Sequence, residues 1–172
     1  MLKTPEPLTF RFADDGAVPN NPTLPFVVYR GAVDLSGSRQ PEEAVEAAFS
    51  ENGWGDRWRD GIFPYLHYHS MIHEVLGIAR GRAKVRFGGD GGEELDVGPG
   101  DVAILPAGTG HHGLWVSPDL VVIGAYPPAG QYDLCRGSAA ERARAQDHPE
   151  SAAARGRSGL RQGRAALDVV AG

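Results

Sequence analysis

The chain has 172 residues, of which 41% are hydrophobic and 23% charged, and a formal net charge of −5. These values suit a single folded domain with its own core, since a domain of about 150 residues buries roughly 68–70% of its unfolded surface. The acidic balance argues against general attraction to nucleic acid or to anionic membranes.

The 24 glycines and 13 prolines favour many short strands and tight turns over a helical bundle. Cys135 is the only cysteine, so no intramolecular disulfide is expected and nothing demands an oxidising compartment. The opening Met1-Leu-Lys-Thr-Pro has no apolar run behind its lysine, and no stretch reaches the roughly 18 apolar residues of a membrane span. The expected location is the cytoplasm, with no membrane partner.

In chain order, Leu8 to Phe12 alternates apolar and polar residues as a half-buried strand does. Asp14-Asp15-Gly16 marks a turn, and Phe26 to Val33 reads as a second strand. Pro41, Glu42 and Glu43 look like the first turn of a helix whose apolar face is Ala44, Val45, Ala48 and Phe49, with Gly53 as its stop. Trp54, Trp58 and Phe63 follow in what reads as a glycine-punctuated loop, more suited to core or dimer interface than to a ligand platform. Strands are expected over Glu74 to Arg80, Ala83 to Phe87, Glu93 to Val97, Asp101 to Leu105, His111 to Val116 and Leu120 to Tyr126. Gly88-Gly-Asp-Gly-Gly92 supplies a hairpin turn among them. Short strands with turns every 8–12 residues argue for a sandwich or barrel. Residues 1–137 are read as the barrel domain with its N-terminal strands and helix. Over 138–172, the capping box Ser138-Ala-Ala-Glu141 opens a short helix, followed by an Ala/Arg/Gly-rich tail.

Histidines concentrate in His67-Tyr-His69-Ser-Met-Ile-His73-Glu74 and in the pair His111-His112. Residues i and i+2 of a strand share a face with Cα atoms roughly 6.6 Å apart, so His67 and His69 can converge on one ion. Glu74 has the opposite parity and joins them only if the chain turns at Ser70 to Ile72. His73 has their parity but would lie some 13 Å beyond His69 on an unbroken strand. The strand must therefore break whichever residue is used, and only one of His111 and His112 can face inward.

Both segments resemble the two cupin motifs. The first, G-x5-H-x-H-x4-E-x6-G, is realised by Gly61, His67, His69, Glu74 and Gly81; the second, G-x5-P-x-G-x2-H-x3-N, by Gly100, Pro106, Gly108 and His111. Trp115 stands where the second motif closes on asparagine. The resemblance covers about Leu8 to Gly137 and is closest to small single-domain bacterial cupins, which share a segment like Tyr132-Asp-Leu-Cys-Arg-Gly137. It implies an all-β fold, the cupin double-stranded β-helix or jelly-roll barrel, with short peripheral helices. It further implies one divalent metal ion (Fe, Mn, Ni or Zn) held by His67, His69, Glu74 and His111, and a homodimer.

Three neutral imidazoles and one carboxylate would leave a divalent ion at about +1, favouring an oxygen-bearing small-molecule substrate that is anionic or polyhydroxylated. Three residues are candidates to assist from beside the ligands. Tyr65 offers a hydroxyl, and Arg80 is either a carboxylate anchor or a solvated strand end. His73 is either a hydrogen-bond partner and general base or a surface histidine. Leu76 and Ile78 would form an apolar wall. Trp115 either narrows the pocket or packs in the core, and Cys135 is expected to be a buried structural thiol. The expected activity is metal-dependent, either dioxygenase-like or that of an isomerase or decarboxylase. The alternative is a non-catalytic module with a structural metal.

Overall fold

The computed structural model describes residues 6–147, so the tail expected beyond Pro149 lies outside the described residues. In chain order the elements are β1 (Leu8–Phe10), β2 (Phe26–Tyr29), α1 (Pro41–Glu51), β3 (Gly55–Asp60), β4 (Glu74–Arg80) and β5 (Ala83–Phe87). They continue with β6 (Glu93–Val97), β7 (Val102–Leu105), β8 (His111–Val116), β9 (Val121–Tyr126) and α2 (Ala139–Asp147). The strands form a six-stranded sheet in the order β1-β2-β7-β4-β9-β3 and a three-stranded sheet in the order β6-β5-β8. Their pairings are antiparallel. This is the jelly-roll architecture expected of the cupin motifs.

Strand alternation decides what the larger sheet buries. Phe26, Val28, Leu76, Ile78, Ala103, Leu105 and Val122 point inward and join Val85, Phe87 and Val97 of the smaller sheet in one core. Their neighbours Val27, Val75, Val102, Ile104, Ile123 and Ala125 point the other way and pack with Val45 and Phe49 of α1. With both faces covered, β2, β4, β7 and β9 read as nearly continuous apolar runs rather than as clean alternation. Gly77 lets α1 seat closely: a Cβ there would lie 2.6 Å from Val45 Cγ1 and 2.9 Å from Phe49 Cζ. Pro41 occupies the first turn of α1, with Glu42 and Glu43 at its positive end.

The expected loop around Trp58 is instead strand β3, which pairs with β9 through Trp58↔Gly124, Arg59↔Ile123 and Asp60↔Val122. The first two strands are shorter than their apolar runs, stopping at Phe10 and Tyr29. Gly31, in the left-handed region at φ 58°, turns the chain just after β2. Among the described residues no helix is long and apolar enough to cross a membrane.

Candidate metal centre

The two motifs meet edge to edge. His67 forms an isolated antiparallel bridge with His111, donating its backbone N–H at 3.2 Å and accepting from His111 at 2.9 Å. His67 and His69 share a face, while Tyr68 between them points into a separate small core with Val18 and Cys135. The chain bends at Ser70 to Ile72 and re-enters at Glu74, the first residue of β4. Glu74 thereby points inward with Leu76 and Ile78, as the break in parity requires. His67, His69 and His111 are buried, and their candidate ligand atoms all lie within 4.8 Å of one another. Glu74 Oε2 lies 3.4 Å from His69 Nε2 and 3.3 Å from His111 Nε2.

Each of the three imidazoles has its Nδ1 against a backbone carbonyl. The partners are Tyr65 O for His67 (3.1 Å), Asp133 O for His69 (2.6 Å) and Thr109 O for His111 (3.2 Å). A carbonyl only accepts, so each Nδ1 carries a proton and each Nε2 is the ring atom left to meet an ion. The Nε2 atoms of His69 and His111 face the Glu74 carboxylate, whose Oε2 is buried with no hydrogen-bond partner among the described residues. Three converging imidazole nitrogens, with a carboxylate oxygen 3.3–3.4 Å from two of them, suit a cation, and imidazole nitrogen with carboxylate oxygen is a donor set that first-row divalent metals accept. The site fits the ion that the motifs imply.

Burial, followed by the neighbouring His111, lowers the pKa of His67 to about 3. Burial works against the charge on Glu74, but the His111 and His69 imidazoles hold its carboxyl below the ordinary range. Burial opposes the charged form of His69 too, yet the adjacent Glu74 raises its pKa.

The four residues line a cavity of about 390 Å³, within the range of small-molecule sites. Its other walls include Trp58, Phe63, Leu76, Tyr126 and Tyr132. Trp58 and Phe63 are therefore cavity wall rather than only core or interface, while Trp54 alone of that cluster is fully in the core. Trp58 lies against Gly124, where a Cβ would come within 2.0 Å of the indole. The sequence reading missed Tyr126 and Tyr132. Tyr126 follows Val122 and Gly124 on the inward face of β9, next to Glu74, and its ring meets that of Tyr132 at 5.3 Å. Burial, then the Glu74 carboxylate, raises the pKa of both hydroxyls, so both stay protonated.

Asp133 was also missed. Its carboxylate accepts hydrogen bonds from Ser70 N (2.8 Å), Met71 N (3.2 Å), Ser70 Oγ and Cys135 Sγ (3.2 Å) while its carbonyl orients His69. Cys135 pairs with Tyr68 in a second isolated bridge. The Tyr132–Cys135 segment is thus strapped to the first motif. Cys135 is buried, and burial followed by the Asp133 contact pushes its thiol up to about 12, which fits the expected structural role.

The structure places the three candidate assisting residues outside the cavity wall. Tyr65 stacks on Phe63 at 4.8 Å with the Arg136 guanidinium 3.6 Å over its ring, and reaches His67 through its carbonyl, not its hydroxyl. His73 is buried rather than exposed. Its Nδ1 accepts the Ala107 N–H at 2.8 Å, tying the first motif to the Pro106-Ala107-Gly108 turn of the second. Arg80 is engaged on α1 and not at the cavity. A register shift between Ile78 and Arg80 carries it out of the inward alternation, and its guanidinium pairs with Glu42 of α1. Trp115 is neither pocket nor core, being 58% exposed. A register shift in β8 opposes Val85 to Gly113 but Lys84 to Trp115, so the parity inherited from His111 is lost. His112, opposite Arg86, is half-buried on the outer face of its sheet.

The facing sheets, both motifs and the buried histidine cluster define a cupin barrel with a candidate metal centre. The chain is 41% identical over 148 residues to the uncharacterized protein YjlB of Bacillus subtilis (strain 168), covering 86% of each. It belongs to that protein's family, within the cupins. No protein-family model matches it. Among solved structures it is similar to an acireductone dioxygenase from Bacillus anthracis with cadmium in its active centre, at 16% identity and a TM-score of 0.39. The match covers 54% of this chain and 63% of that one. It is also similar to the Escherichia coli ribosomal oxygenase YcfD, at 17% identity and a TM-score of 0.41, over 70% of this chain and 35% of that one. The chain spans less than two thirds of either solved structure.

Proposed function

We propose that this chain is a metal-dependent enzyme that acts on a small oxygen-bearing metabolite, by dioxygenation or else by isomerisation or decarboxylation. One observation carries the reading: three clustered, buried imidazoles and a Glu74 carboxylate oxygen with no hydrogen-bond partner among the described residues border a cavity large enough for a metabolite. A closed structural site would need no such cavity beside its ligands. His67, His69, Glu74 and His111 would hold a divalent ion, with Fe, Mn, Ni and Zn all compatible with the donor set. When bound, such an ion supplies Lewis acidity and, if redox-active, a route to O₂ chemistry. The chain's own residues supply the rest. The Glu74 charge offsets part of the ion's charge, Tyr126 and Tyr132 offer hydroxyl donors, and Trp58, Phe63 and Leu76 keep water from the bound metabolite.

The test is to load the protein separately with each of the four metals and to assay enediols, catechols and 2-hydroxy acids for oxygen uptake and product formation. Turnover with at least one metal, abolished in His67→Ala and His111→Ala, is the expected result. Stoichiometric metal with no turnover across these classes would contradict the enzymatic reading and favour a non-catalytic metal-binding module.

A further inference from the structure

Resting on the metal-centre reading, we propose that the site selects an aromatic or similarly planar ligand whose only anionic groups are the oxygens it presents to the ion. Three independent features of the cavity lead there.

The first is charge. A divalent ion with one carboxylate and three neutral imidazoles carries a net charge of about +1, which a singly charged chelating ligand cancels. A further anionic group on the ligand would need a cation of its own. Among the described residues that line the cavity, Arg59 is the one permanently charged cation. Its guanidinium is already committed to Glu46 of α1, through Nε to Oε1 at 2.5 Å and Nη2 to Oε2 at 2.8 Å. Beside it, the exposed Asp60 adds a negative charge to the lining. A phosphate, sulfonate or second carboxylate would therefore meet repulsion without compensation.

The second is the wall. The rings of Trp58, Phe63, Tyr126 and Tyr132 all border the cavity, and aromatic faces reward a flat ring more than a flexible aliphatic chain. This wall is built in. Gly124 gives the Trp58 indole its seat, and no side chain could stand at that position without displacing it. The third is polarity. Beyond the candidate ligands, Tyr126 and Tyr132 bring neutral hydroxyls to a lining otherwise dominated by apolar surface, enough to orient one or two oxygens but not to satisfy a polyhydroxylated chain.

The experiment uses full-length protein loaded with Co(II), whose visible absorption reports its ligands. The Co(II) titration comes first, and loss of the spectrum in His67→Ala checks the centre itself. The loaded protein is then titrated with 4-nitrocatechol, with 4-sulfocatechol and with glycolate, each followed by Co(II) absorption and tryptophan fluorescence. The expected result is binding of 4-nitrocatechol at least about tenfold tighter than of either other probe, tenfold corresponding to about 1.4 kcal/mol. In Asp60→Asn the discrimination against the sulfonate should shrink severalfold. Tyr132→Phe, which keeps the ring and removes the hydroxyl, should weaken 4-nitrocatechol severalfold. Sulfocatechol or glycolate binding as tightly as nitrocatechol to a normally loaded centre would overturn the proposed selectivity and leave the centre standing. No Co(II) spectrum at all would overturn the centre, and the selectivity with it.

Discussion

The Glu74 carboxylate is fully enclosed, yet its Oε2 looks onto ring nitrogens whose protons are turned away from it. Replacing the charge by an amide removes the reason for a cation without changing the volume. Glu74→Gln is expected to lower Zn(II) or Co(II) affinity by at least about tenfold and to lower the metal-free melting temperature modestly, since the fold favours the charged carboxylate. Competition against a chelating dye together with scanning calorimetry reads both. His73 acts at a different level. Its pKa falls to about 4 on burial, against about 6.5 in the unfolded chain. Between those values the unfolded chain binds a proton that the folded one refuses, so stability falls as pH drops from 6.5 to 4. The loss approaches about 3 kcal/mol for this residue. His73→Asn keeps an acceptor for the Ala107 N–H and should remove that share of the slope, as urea unfolding of metal-free protein at pH 7 and pH 4.5 would show. An unchanged slope would mean that His73 is not buried neutral. The His67 pKa, down to about 3, adds a slope of the same sign that remains in the variant.

Among the elements, the strands β4 to β9 were legible because each apolar run is bounded by glycine, proline or aspartate, and the helix α1 because proline and glutamates open it. What parity could not reach were the register shifts. In β4 and β8 each shift turns the strand end by one position, which sends Arg80 to Glu42 and Trp115 to solvent. Nothing in a single strand's own sequence records an extra residue opposite its partner. Trp115→Ala should therefore change stability by no more than about 0.5 kcal/mol, as a surface substitution does, where a core tryptophan would cost about 3–5 kcal/mol. Trp58 was hidden for a related reason: its seat is Gly124, remote in sequence and brought opposite only by the β3–β9 register. Gly124→Ala should cost about 1–3 kcal/mol and also shift the Trp58 fluorescence as the indole moves. Gly77→Ala, which crowds Val45 and Phe49 on the far side of the sheet, should cost a similar amount but spare the cavity. Thermal denaturation and emission spectra of the two variants distinguish these effects.

For the whole molecule, the four candidate ligands were legible because the motif spacing encodes one geometry. An i, i+2 pair supplies two imidazoles, a turn resets the parity for Glu74, and an antiparallel bridge delivers His111. The Tyr132–Asp133 strap and the Tyr126 wall were not, because they come together only once β9 lies beside β4 and the chain returns to pair Cys135 with Tyr68. If the barrel and strap together hold an ion, that ion binds the folded chain and contributes RT ln(1 + [M]/Kd), about 2.7 kcal/mol at a hundredfold excess over Kd. The measurement that bears most directly on this account is metal content by mass spectrometry of protein purified without chelating resin, paired with melting before and after chelator. The account predicts about one equivalent of a divalent transition metal, a melting temperature lowered by its removal, and loss of both effects in His67→Ala and His111→Ala. Metal-free protein that takes up no divalent ion on addition, with a melting temperature indifferent to chelator and metal, would contradict it.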